Sequence, residues 1–159
     1  MTPLLRFIAA VPVLVSLTLT DAISQSVVAP LSASPESSPM AARVDARKIA
    51  VKFRERGYRI TPVANGDNLQ PFTQFDLNLT KGTDVVIMVG KDDAMPDVDL
   101  YVKDDVGNMV QADTRPISRA CVEFSASYNG DYTVVVKPTQ SSVVGHFAVL
   151  IGVQPSGYQ

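Results

Sequence analysis

Seven aspartates crowd into one part of the chain. Asp92, Asp93, Asp97, Asp99, Asp104, Asp105 and Asp113 fall within 22 positions. Carboxylates at this density suggest a divalent cation, because calcium is held by several oxygens drawn from carboxylates, carbonyls and water. A loop carrying Asp92, Asp93 and Asp97, flanked by Asp99, could offer such oxygens, and Asp113 could approach across a hairpin. The spacing is not the Asp-x-Asp-x-Asp-Gly of an EF-hand. The other reading is structural: aspartates that cap turns and accept from neighbouring backbone amides. Calcium is the one cofactor these residues suggest.

Other chemistries have less to stand on. His146 is the only histidine, so a Ser-His-Asp mechanism would have to use it, yet there is no Gly-x-Ser-x-Gly elbow. One His and one Cys exclude a His/Cys zinc cluster on count. Cys121 alternates with the inward positions Ala120 and Val122, which turns it outward or toward a second layer, and Arg119 beside it would lower its pKa. A single cysteine also rules out an intramolecular disulfide. The aspartates could be paired for glycosidase work, but only Tyr101, Tyr128 and Tyr132 lie near enough in sequence to form a sugar platform. No catalytic constellation emerges.

The elements that must position these residues are mostly strands. Phe75, Leu77 and Leu79 alternate with Gln74, Asp76 and Asn78, a half-buried strand. Asp84 to Val89 is apolar on both faces and so reads as central. Val98, Leu100 and Val102 share one face of the next strand. Gly107-Asn108 turns the chain where positive φ is cheap, and Met109 to Ala112 returns. Ala120 to Phe124, Tyr132 to Val136 and His146 to Gly152 repeat the pattern. Tyr58 to Pro62 reads as a short extended piece, and Ala64 to Asn68 as a cluster of turn residues. Seven or eight strands at this spacing, with no helix between them, predict an all-β antiparallel sandwich, jelly-roll-like, over residues 58–154.

Ahead of it, residues 1–22 read as a secretory signal, with Arg6 before the apolar run Phe7 to Leu19. That run is shorter than a spanning helix needs, which predicts no stable membrane span after cleavage. Residues 23–39 are rich in Ser, Ala and Pro and read as a disordered linker. Residues 40–57 read as one amphipathic basic helix, stopped by Gly57, with Ala42, Ala46, Ile49, Ala50 and Phe53 on one apolar face and packed on the edge of the domain by Ile49 and Phe53. Residues 155–159 are a tail.

Of the 159 residues, 46% are hydrophobic, enough for one core, and 19% are charged. The net charge of −2 argues against a nucleic-acid partner. Yet Ala41 to Ile60 holds seven Lys and Arg against Asp45 and Glu55, whereas from Thr61 onward six basic residues face twelve acidic ones. The two parts either attract each other or face different partners.

Asp99-Leu-Tyr101, Gly107-Asn108, Val122-x-Phe124 and Gly130-x-Tyr132-x-Val134-x-Val136 together resemble the bacterial pre-peptidase C-terminal domain, over about Phe72 to Gly152. The resemblance implies a jelly-roll-like sandwich on secreted bacterial proteins, accessory in role, in some cases binding a polymer such as collagen or carbohydrate and in some cases calcium. No peptidase domain precedes the sandwich here, which departs from the family pattern. The expected function is therefore an exported, non-enzymatic binding or accessory protein, periplasmic or secreted. Its partner would be a protein or polysaccharide, met at the loop end around Asp92 to Asp99 and Arg115. A calcium-stabilised module docking through its basic helix is the alternative, and a hydrolase the weaker one.

Overall fold

The computed structural model describes residues 37–116 and 119–154. The signal, most of the linker and the tail lie outside the described residues. Eight strands follow one helix: α1 (Pro39–Glu55), β1 (Arg59–Asp67), β2 (Thr73–Leu79), β3 (Asp84–Lys91), β4 (Val98–Lys103), β5 (Met109–Asp113), β6 (Ala120–Ser125), β7 (Gly130–Pro138) and β8 (His146–Gln154). They form two four-stranded antiparallel sheets, ordered β1-β8-β3-β6 and β2-β7-β4-β5. This is the strand order of an eight-stranded jelly roll, and the expected sandwich is what the chain builds.

Period-2 patterning explains the layers. Val85, Ile87 and Val89 of β3 and Phe147, Val149 and Ile151 of β8 face Leu100, Val102, Tyr132, Val134 and Val136 of the second sheet, all buried in one core. The alternate residues of β3 and β8 point the other way. Val86, Met88, Ala148 and Leu150 are buried beneath α1. That is why β3 reads as apolar on both faces, and why β8 is buried on both as well.

The helix starts where Ser38 accepts a hydrogen bond from the Ala41 amide, with Pro39 in the first turn. Its inner face is Ala42, Ala46, Ala50 and Phe53. It lies across β3 and β8 rather than on the domain's edge, a correction to the packing expected from Ile49 and Phe53. The physical reason is Gly90. A Cβ there would sit 2.0 Å from the Ala46 nitrogen and 2.7 Å from the Ala42 carbonyl oxygen, so only glycine lets the helix backbone come this close. Polar ties hold its two ends. Arg119 grips Asp45 through Nε at 3.0 Å and Nη2 at 2.5 Å. Past the helix, Arg56 pairs with Glu123, which also accepts from the Tyr58 hydroxyl at 2.7 Å. Burial, and then the bond to Glu123, push Tyr58 up to about 12.

A second correction concerns Ala64 to Asn68. All but Asn68 belong to β1, a nine-residue edge strand paired with β8. The register slips between Pro62 and Ala64, and a proline fits a strand at such an edge bulge.

Replacing Gly90 by alanine should therefore cost at least the upper end of ordinary overpacking, about 3 kcal/mol. Urea denaturation checks this. A variant as stable as the parent would mean that α1 does not seat as described.

Candidate functional site

The aspartates expected to share a cation are not brought together. Among the described residues no group of three or more His, Cys, Asp and Glu side chains is placed to hold a metal. Asp92 is buried and acts as a knot: its carboxylate accepts from the Met95 amide at 3.1 Å, the His146 amide at 3.0 Å and the Ser37 hydroxyl at 3.2 Å. It thereby ties the start of α1, the β3–β4 loop and the start of β8 together. Asp93 is exposed. Asp99 accepts from the Tyr101 hydroxyl at 3.0 Å. Asp97 Oδ1 is buried without a hydrogen-bond partner. Asp104 caps the β4–β5 turn by accepting from the Val106 and Asn108 amides.

Asp113 closes the β5–β6 end of the sandwich. It is the last residue of β5, one beyond the expected return strand Met109 to Ala112, and its carboxylate crosses to the other sheet to accept from the Cys121 amide at 3.0 Å. Arg115 grips it through Nε and Nη2, each at 2.8 Å. That guanidinium, and then the Cys121 amide, hold Asp113 down to about 2 against the penalty of burial.

His146 contributes its backbone to this frame, not its ring: its amide and carbonyl both engage Asp92. Among the described residues its imidazole makes no hydrogen bond to a serine or carboxylate, so the hydrolase reading gains nothing here. Cys121 faces the helix layer, the second of the two orientations expected. Its pKa is raised by burial, not lowered by Arg119.

What the sequence reading did not single out is the bare face of the second sheet. α1 covers the outside of one sheet, while no described element lies over the outside of β2-β7-β4-β5. Register places Gln74, Val135, Tyr101 and Ala112 in one row across the four strands, and Asp76, Thr133, Lys103 and Met109 in the next. At the ~4.8 Å spacing of strands each row spans about 14 Å. Tyr101, Lys103, Met109, Val135 and Lys137 line a shallow depression of about 290 Å³ there. Thr133 donates to Asp76 at 2.8 Å and Asn78 to Asp131 at 2.7 Å, which fixes the polar rim. The signal was available: Tyr101 and Val135 are the large outward residues of two otherwise regularly alternating strands.

No protein-family model and no curated protein matches this chain. Among solved structures it is similar to PliG of Aeromonas hydrophila, a periplasmic lysozyme inhibitor of g-type lysozyme, at 11% identity and a TM-score of 0.45, over 62% of this chain and 90% of that one. A likeness this slight carries nothing about what this chain binds. No helix among the described residues is long and apolar enough to cross a membrane.

The depressed Asp113 sets a pH dependence. A carboxyl at about 2 in the folded chain and about 3.9 in the unfolded one stabilises fully above the unfolded value and loses that contribution as pH falls through the folded one. With the exposed Arg115 partner discounted, it is worth roughly 1–2 kcal/mol. Asp113→Asn should be less stable than the parent at neutral pH, and the gap should shrink as pH falls from about 4 to 2. A gap that stays constant in acid denaturation would remove Asp113 from this role.

Proposed function

We propose that this chain is an exported, non-enzymatic β-sandwich binding protein, periplasmic or secreted, that meets a protein partner on the outer face of β2-β7-β4-β5. The observation that carries the reading is asymmetry. The central strands β3 and β8 of one sheet are buried on both faces, and the other sheet presents an ordered, uncovered outer face. That face has the anatomy of a contact surface. Tyr101 and Val135 form an apolar centre on the two inner strands, continued to the edge strand by Ala112 and Met109, and Lys103, Lys137, Asp76, Asp99 and Asp131 surround them with both signs of charge. Aromatic residues and methionine are enriched at the centres of interfaces, with polar residues around them. A polysaccharide would favour flat aromatic rings. Here one tyrosine stands among branched and flexible aliphatics, which suits a protein surface better. A binding or accessory role is also what the resemblance to the pre-peptidase C-terminal domain implies.

The test is capture from the exported fraction of the source cells, followed by purification of the captured protein and titration against variants. Tyr101→Ala and Val135→Lys should each weaken binding by about tenfold or more, the scale of a hot-spot truncation near 1.4–2 kcal/mol, while melting temperature stays close to the parent's. Binding indifferent to both variants would refute the sheet face. Glycan-array binding lost in Tyr101→Ala, with no protein captured, would turn the reading to a polysaccharide.

A further inference from the structure

The opposite side of the molecule carries a cleft with a different chemistry. It lies between the second half of α1 and Arg115, Arg119 and Cys121, has a volume of about 290 Å³, and is lined there by Lys48, Ile49 and Lys52 from the helix. Among the described residues, four cations and no carboxylate line it. Lys48 and Lys52 stand one helical turn apart, a spacing at which like charges repel and destabilise a helix. Lys52 is in the last turn, where the helix dipole favours a cation, but that reason does not extend to Lys48.

The four groups are not equally committed. Arg115 uses Nε and Nη2 on Asp113, and Arg119 uses Nε and Nη2 on Asp45. Each guanidinium is thus held in place by its forked edge, and its Nη1 makes no hydrogen bond among the described residues. Neither Lys48 nor Lys52 has an ion pair among them. Lys52 rests only over the Phe53 ring, 4.8 Å from its centroid. Cys121 stays a neutral thiol because burial raises its pKa, so it supplies no competing charge.

On each guanidinium the Nε/Nη2 edge is engaged by an internal carboxylate, and the Nη1 side is left to meet a ligand. Two ammonium groups and two such guanidinium edges, reaching in from different elements, suit a multiply charged group whose oxygens point in several directions. We propose that this cleft binds a phosphate-type oxyanion, borne on a soluble ligand or on a lipid headgroup. The site is on the helix side, away from the bare sheet, so it stands or falls independently of Tyr101.

Titrating the full chain with inorganic pyrophosphate at matched ionic strength, followed by amide NMR, tests it. Saturable shifts should appear at Lys48, Lys52 and Cys121. Lys48→Gln/Lys52→Gln should weaken binding about tenfold or more, as expected for losing two charge-assisted contacts. Lys48→Arg/Lys52→Arg should retain it, and circular dichroism should show both variants folded. Vesicles of phosphatidylglycerol in phosphatidylcholine give the second arm. Vesicle binding lost in the glutamine variant assigns the phosphate to a lipid, and absence of vesicle binding beside saturable pyrophosphate assigns it to a soluble ligand. Shifts reproduced by sodium chloride alone, a glutamine variant that binds like the parent, or vesicle binding without saturable pyrophosphate would each overturn the cleft as an oxyanion site.

Discussion

The seating of three alanines against one glycine governs the rest of this structure. Ala42 and Ala46 bring the α1 backbone down onto Gly90, and with Ala50 they bury Val86, Met88, Ala148 and Leu150. Without it, β3 and β8 would expose an apolar face to water, a patch of the kind that soluble proteins seldom leave open. With it, the molecule has three layers, and only one sheet surface is left for a partner. The sidedness of the proposed binding follows from a packing requirement.

The charge asymmetry of the chain is resolved in the same geometry. Part of it is internal: Asp45 meets Arg119, and Arg56 meets Glu123, so helix and sandwich attract each other across their seam. Both pairs are largely exposed on the cationic side and add modestly to stability. The other six basic residues of 41–60, Lys48 and Lys52 among them, make no ion pair among the described residues. The aspartates likewise divide into uses. Asp92 and Asp113 are buried and accept backbone amides, Asp104 shapes a turn, and Asp76, Asp99 and Asp131 trim the bare sheet.

Much of the fold was legible because alternation reports burial directly. Phe75, Leu77 and Leu79, the two-sided apolar run of β3, and the turn at Gly107-Asn108 all read correctly. What was not legible has physical causes. Pro62, Asn65 and Gly66 carry turn propensity, yet β1 is an edge strand, where a bulge tolerates Pro62; Gly66 lies under the Phe147 ring, whose Cζ would be 2.4 Å from any Cβ placed there. The apolar face of α1 was legible from the helical spacing of Ala42, Ala46, Ile49, Ala50 and Phe53, but a face made mostly of alanine does not say which surface it covers, and only Gly90 in the fold places it across β3 and β8. Density of aspartates along a sequence is not convergence in space: Asp92 turns inward to backbone amides, Asp93 to solvent, and Asp113 to the amide of Cys121. The candidate surface was hidden for a related reason. Tyr101 and Val135 look ordinary alone, and only strand register places them side by side.

Native-state hydrogen exchange tests the central contact most directly. If α1 is a structural layer of the domain, amides from Arg47 to Phe53 should exchange with the same opening free energy as those of β3 and β8, and the three should shift together with denaturant. Exchange of the helix amides through a separate, low-energy opening that leaves β3 and β8 fully protected would contradict this account.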